Sequence, residues 1–177
     1  ADDELEGIMS WNFVLVGGPY GGTTEGPAWD GSGLLYTHIP ASQILRFDPK
    51  TRTLTVFRAD TNWANGLMFD PEGKLFACEG GARRMVRYED DGTTTVLADS
   101  FEGKRFNVPN DLAIDSKGRV YFTDPRYAGN EPREIDFEGV FLIERDGAVK
   151  LATKEVQKPN GIFVSLDGKH VYVADNN

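Results

Sequence analysis

The chain has 177 residues, 40% of them hydrophobic and 11% aromatic, which is enough apolar material for a packed core and too much for a disordered polypeptide. A formal charge of −9 and a pI near 4.7 argue against binding a phosphate backbone and favour cations. No apolar run approaches the roughly 18 residues of a membrane span, and a single cysteine, Cys78, leaves no intrachain disulfide.

The first apolar run, residues 11–16, is strand-length and lacks the basic start of a signal peptide. The opening Ala1-Asp2-Asp3-Glu4 is compatible with a mature end left by signal cleavage, so the compartment stays open. Gly17-Gly18 and Gly21-Gly22 flank Pro19 and Tyr20, and this stretch reads as a turn rather than a phosphate cradle.

A repeated pattern begins at Glu25-Gly26-Pro27-Ala28-Trp29-Asp30. It returns as Asn65-Gly66-Leu67-Met68-Phe69-Asp70, Asn110-Asp111-Leu112-Ala113-Ile114-Asp115 and Asn160-Gly161-Ile162-Phe163-Val164-Ser165. Each copy continues through a turn ending in Gly33, Gly73, Gly118 or Gly168 and into a second apolar run. Positions 25, 65, 110 and 160 are 40, 45 and 50 residues apart, a period that with several short strands per unit marks a β-propeller. The first unit gives further strands at 34–37, 43–47 and 54–57, with Asp48-Pro49-Lys50-Thr51 as a turn. The second gives 66–69, 74–78, 85–88 and 94–97, and the third 112–114, 120–123, 139–143 and 149–153. Four strands per unit is the grammar of a propeller blade, so the fold class expected is all-β, a propeller of four-stranded blades.

Two loops break the pattern, residues 100–109 and 124–138; the second is expected to be a mobile cover, with a substrate-side rim as the alternative. The fourth unit reaches only its second strand, 170–174, so the chain holds about three and a half blades. We expect residues 1–177 to form one propeller domain, the N-terminal portion of a longer polypeptide, rather than a small ring closed by residues 11–16.

Equivalent positions on blades form a ring around the propeller axis. Glu25, Asn65, Asn110 and Asn160 therefore make a candidate axial site of hard oxygen donors, the kind calcium accepts. An Asn-Gly pair alone would read as a turn, but here each polar residue precedes a strand, and Pro109 and Pro159 stiffen two of the approaches. His38 and His170 are far apart in the repeat, so zinc and copper sites are not expected. Cys78 reads as a small buried hydrophobe. The chain carries no Gly-x-Ser-x-Gly elbow and no phosphate loop.

Several segments together resemble the gluconolactonase/senescence-marker-protein (regucalcin) family. They are Thr24-Glu25-Gly26-Pro27-Ala28-Trp29, Leu35-Tyr36-Thr37-His38-Ile39-Pro40, Phe106-Asn107-Val108-Pro109-Asn110-Asp111-Leu112 with Tyr121-Phe122-Thr123-Asp124-Pro125, and Lys158-Pro159-Asn160-Gly161-Ile162 with Val171-Tyr172-Val173-Ala174-Asp175. The resemblance implies a six-bladed propeller with a divalent ion, usually calcium, at its axis. It implies metal ligation by Glu25, Asn110 and Asn160, with Asn65 in a substrate or supporting role. A fourth ligand, an aspartate that also serves as general base, is expected in a later motif beyond Asn177. Glu79 or Arg83 is expected near the substrate mouth, and His38 in a surface or blade-packing role. The function expected is hydrolysis of a small-molecule lactone, a sugar lactone such as gluconolactone, by calcium-assisted water attack. The alternatives are another ester or phosphotriester hydrolase of the same family, or a non-catalytic calcium-stabilised binding module. No nucleic acid or membrane partner is expected.

Overall fold

Short β-rich runs separated by Asp/Gly turns favour pairing with their immediate neighbours, and the computed structural model, which describes residues 14–127 and 133–177, shows that pairing within each sheet. The first blade is β1 (Thr24–Trp29), β2 (Leu34–His38), β3 (Gln43–Asp48) and β4 (Thr53–Arg58), antiparallel in that order. The second is β5 (Ala64–Phe69), β6 (Leu75–Glu79), β7 (Arg84–Tyr88) and β8 (Thr94–Ala98). A two-stranded hairpin, β9 (Ser100–Phe101) and β10 (Lys104–Arg105), leads into the third blade. That blade is β11 (Leu112–Ile114), β12 (Val120–Asp124), β13 (Gly139–Ile143) and β14 (Val149–Thr153), and β15 (Pro159–Val164) with β16 (Val171–Asp175) pair as the start of a fourth. The architecture is a partial β-propeller, and β1, β5, β11 and β15 are the neighbouring inner strands.

The core lies between blades, which explains each strand's hydrophobic pattern. β2 alternates buried and half-buried positions, whereas β6 and β13 are buried along their whole length because a blade covers each face. Ala28, Leu35, Leu67, Leu75 and Val86 fill the space between the first two blades. Phe76, Cys78, Met85, Phe122 and Phe141 fill the next space, and Cys78 is fully buried as expected of a small apolar side chain. Ala113, Val140 and Ile162 join the third blade to β15.

Both irregular loops turn out to be anchored. Residues 100–109 contain the β9–β10 hairpin, whose two turn residues, Glu102 and Gly103, take φ of 50° and 77°, the conformation of a tight primed turn. Phe106 then enters the core, 5.0 Å edge-on from Phe122 and 5.1 Å from Phe141. In the second loop Ile135 is buried in the same cluster, so its described part is held by packing, not laid over the surface as a free cover; residues 128–132 lie outside the described residues. Of the stretch 11–16, Val14, Leu15 and Val16 carry no strand, and Trp11 and its neighbours lie outside the described residues. No described helix is long and apolar enough to cross a membrane.

Candidate functional site

The four repeated polar residues sit at the same end of the four inner strands. Glu25 and Asn65 are the second residues of β1 and β5, Asn160 is the second residue of β15, and Asn110 stands two residues before β11. At three of them the ladder slips: between Glu25 and Ala28, Ala64 and Leu67, and Pro159 and Ile162. Such a bulge leaves one residue out of the pairing and re-aims its side chain. The backbones are tied to one another in sequence. The Thr37 hydroxyl lies 3.1 Å from the Glu25 carbonyl and 3.0 Å from that of Asn65. The Gly66 N–H donates to the Asn110 carbonyl at 2.7 Å, and the Thr123 hydroxyl donates to the Asn160 carbonyl at 2.7 Å.

Close approach at this end demands small residues. Gly26 has φ of +54°, and a Cβ there would fall 2.3 Å from the Asn65 carbonyl oxygen. The third repeat replaces this glycine by Asp111, whose carboxylate accepts the Ile162 N–H at 3.0 Å and so bridges to β15. Burial raises the Asp111 pKa, opposed by the N–H groups of Ile162 and Leu112.

The backbone carbonyls at this end are spent, and the side chains are not. Among the described residues, Glu25, Asn65 and Asn110 make no side-chain hydrogen bond. The Asn160 amide nitrogen donates to the Tyr127 hydroxyl at 2.5 Å, which leaves its carbonyl oxygen turned to other use. Asn110 is buried, with 6% exposure, whereas Glu25 is exposed and Asn65 half-buried. One carboxylate and three amides with uncommitted oxygens fit a hard cation such as calcium. Among the described residues no three His, Cys, Asp or Glu side chains cluster, so such a site would rest on the amides.

Glu79 and Arg83 have other occupations. Glu79 has 2% exposure, and its carboxylate accepts from Arg84 Nε at 2.6 Å, Asn62 Nδ2 at 3.0 Å and the Tyr88 hydroxyl at 3.0 Å. Arg83, also buried, donates to the Phe106 and Arg105 carbonyls and pairs with Glu134 at 3.2 Å, fastening both irregular loops. Both side chains are thus engaged by partners within the protein. His38 packs its ring 4.8 Å from that of Tyr20.

Three residues escaped sequence reasoning. Tyr127 orients Asn160, and its only signal was an aromatic in a long loop. Asp124 is fully buried and accepts the Asn107 N–H at 2.7 Å, holding the segment that leads to Asn110; burial pushes its pKa up to about 7, against the pull of the Asn107 and Val108 N–H groups. Its signal was positional, since His38, Glu79, Asp124 and Asp175 all close the second strand of a blade. The third, Trp63, stands two residues before Asn65 with its indole exposed. A separate groove of about 530 Å³ opens among the turns carrying Asp70, Lys117 and Arg145, at the opposite end of the blades from the polar ring.

Residues 23–177 match the sequence pattern of the SMP-30/Gluconolactonase/LRE-like region family. The chain belongs to that family. Gluconolactonase from Zymomonas mobilis is 30% identical over 174 residues, 86% of this chain and 49% of that protein. Regucalcin from Xenopus laevis is 27% identical, again over 86% of this chain and 51% of its own length. The solved structure of a gluconolactonase from Xanthomonas campestris superposes with a TM-score of 0.80 at 29% identity, covering 86% of this chain and 54% of that one. The chain thus spans about half the length of these relatives, and this half of the family's propeller carries the four inner-strand residues.

Proposed function

We propose that the protein hydrolyses a lactone, a sugar lactone such as gluconolactone, with calcium held at the propeller axis. The observation that carries the reading is the set of unspent side-chain oxygens at one end of four inner strands, three of which are bulged there, in a chain of the gluconolactonase-like family. Glu25, Asn110 and Asn160 would hold the ion, Glu25 supplying charge and the two amides neutral oxygens. Calcium bound there would supply a Lewis acid for the carbonyl oxygen of the ring ester. Tyr127 keeps the Asn160 oxygen directed away from its own hydroxyl, and Asp111 and Thr123 hold the third and fourth inner strands in place. Asn65, beside them, offers amide hydrogen bonds to the substrate. Water adds to the carbonyl carbon, the ring C–O bond breaks, and the product is a hydroxy acid. In this reading the proton acceptor is the aspartate of a later motif that the family resemblance implies.

The test is base consumption during gluconolactone hydrolysis, with chelator, with calcium restored, and with a phosphotriester in a parallel arm. The expected result is a rate above the spontaneous one, abolished by chelator and recovered with calcium. A chelator-insensitive rate would refute the metal-assisted reading. No rate above background would leave a calcium-stabilised binding module, and turnover of the phosphotriester alone would move the substrate class.

A further inference from the structure

Trp63 is 60% exposed, an unusual position for the largest apolar side chain. It is also held in a backbone conformation that a bulky residue avoids. Trp63 has φ of +55°, and two residues just before it, Asp60 and Asn62, have φ of 55° and 50°. Left-handed residues of this kind persist only where their surroundings over-determine them, and they cluster at ligand clamps. Here the surroundings do so. Ser42 Oγ accepts the Trp63 N–H at 3.2 Å, the Ser42 carbonyl accepts the Thr61 N–H at 3.1 Å, and the Asn62 carbonyl accepts the Gly81 N–H at 2.9 Å. The buried Glu79 carboxylate takes the Asn62 amide at 3.0 Å. The ring is braced as well: a Cβ on residue 81 would lie 3.0 Å from Cε3 and 3.2 Å from Cδ2 of the indole, so only glycine lets the backbone support it there.

The braced indole borders a hollow of about 290 Å³ that is also lined by Ser42, Asp60, Asn62 and Gly81. That is the small end of the ligand-site range, with room for one sugar ring. Its polar equipment is mostly acceptors. The Asp60 carboxylate has no ion pair or hydrogen bond among the described residues, and Asn62, having spent its amide nitrogen on Glu79, keeps its oxygen. The Ser42 hydroxyl, an acceptor toward Trp63, retains its proton to donate. An apolar plate edged by acceptors complements a polyhydroxylated ring, whose C–H face stacks and whose hydroxyls donate. An anionic ligand would meet the Asp60 charge, and an unsubstituted aliphatic ring would leave the acceptors unused. The hollow lies at the same end of the second blade as Asn65, which follows Trp63 by two residues at the start of β5.

We propose that this hollow is the subsite for the hydroxylated part of the substrate, an uncharged polyol ring stacked on Trp63, and that it sets the preference for sugar lactones over plain ones. The inference rests on the lactonase reading for its reaction but not for its binding. Two measurements separate the two. In the first, KM is compared for gluconolactone and δ-valerolactone in the parent protein, Trp63→Ala and Trp63→Phe. Stacking is worth about 0.5–1.5 kcal/mol, or roughly two- to tenfold; Trp63→Ala should raise KM for gluconolactone by that factor relative to KM for δ-valerolactone, and Trp63→Phe should recover most of it. In the second, tryptophan fluorescence is followed while titrating 1,5-anhydroglucitol, a sugar ring with no carbonyl to hydrolyse. A saturable change lost in Trp63→Phe supports the subsite even if no lactone is turned over. Lactone turnover with an unaltered KM ratio, or a titration without response, overturns it.

Discussion

Asn110 and Asn65 occupy equivalent positions in their blades, yet their surroundings differ. Asn110 is buried, its N–H is spent on the Thr123 carbonyl at 2.9 Å, and its carbonyl takes the Gly66 N–H, so its backbone is held from both sides. Asn65 is half-buried, with its carbonyl within reach of the Thr37 hydroxyl. Calorimetric titration with calcium should therefore separate them. Asn110→Ala should weaken binding by about tenfold or more, and Asn65→Ala should change it little; equal losses would mean that the ion is held differently. The equivalence of the four polar positions was legible because a repeat preserves register. The fates of Glu79 and Arg83 were not, because a charged residue at a strand end reads alike whether it meets solvent, substrate or a buried set of partners. Only the fold brings Tyr88, Arg84 and Asn62 around the Glu79 carboxylate.

At the scale of elements, the twelve strands expected from periodicity recur with ends shifted by at most a residue or two, β6 as Leu75–Glu79 against 74–78 and β5 as Ala64–Phe69 against 66–69. Alternation and Asp/Gly turns suffice for that. The β9–β10 hairpin was missed because its turn is Glu-Gly, a weaker signal than Asn-Gly, and its strands are two residues each. The glycines after the ring residues were visible as part of the repeat, but their purpose needed the packing of one inner strand on the next. A Cβ at Gly66 would stand 2.6 Å from Asp111 Oδ1 and 2.8 Å from the Asn110 carbonyl oxygen, whereas at Gly161 the nearest atom is 3.8 Å away. Gly66→Ala should then cost about 1–3 kcal/mol in urea unfolding, and Gly161→Ala should be close to neutral. If both substitutions are tolerated, the second and third inner strands are not as closely packed as this contact requires.

Over the whole molecule, carboxylates fall into two groups that act on stability in opposite directions. Asp30, hydrogen-bonded by Arg46, and Glu89, hydrogen-bonded by Arg87, have lowered pKa values in the fold. Their contribution is present above the unfolded pKa and lost as pH falls through the folded one. Asp111 and Asp124 are raised, chiefly by burial, Asp124 to about 7. Their contribution is full below the unfolded value, near 3.8, and is lost as pH rises through the folded one. The two groups together should place the best stability on the weakly acid side, with a decline toward neutrality as the buried carboxyls Asp111 and Asp124 ionise. Asp124→Asn isolates that decline, since an amide oxygen can still accept the Asn107 N–H and carries no charge at any pH. Measured by urea unfolding in chelator between pH 4.5 and 7.5, the variant should gain on the parent as pH rises, by at most about 1.4 kcal/mol per unit. A constant difference across that range would mean that Asp124 is already ionised when the protein folds, and the acid-side optimum would then have to come from other groups.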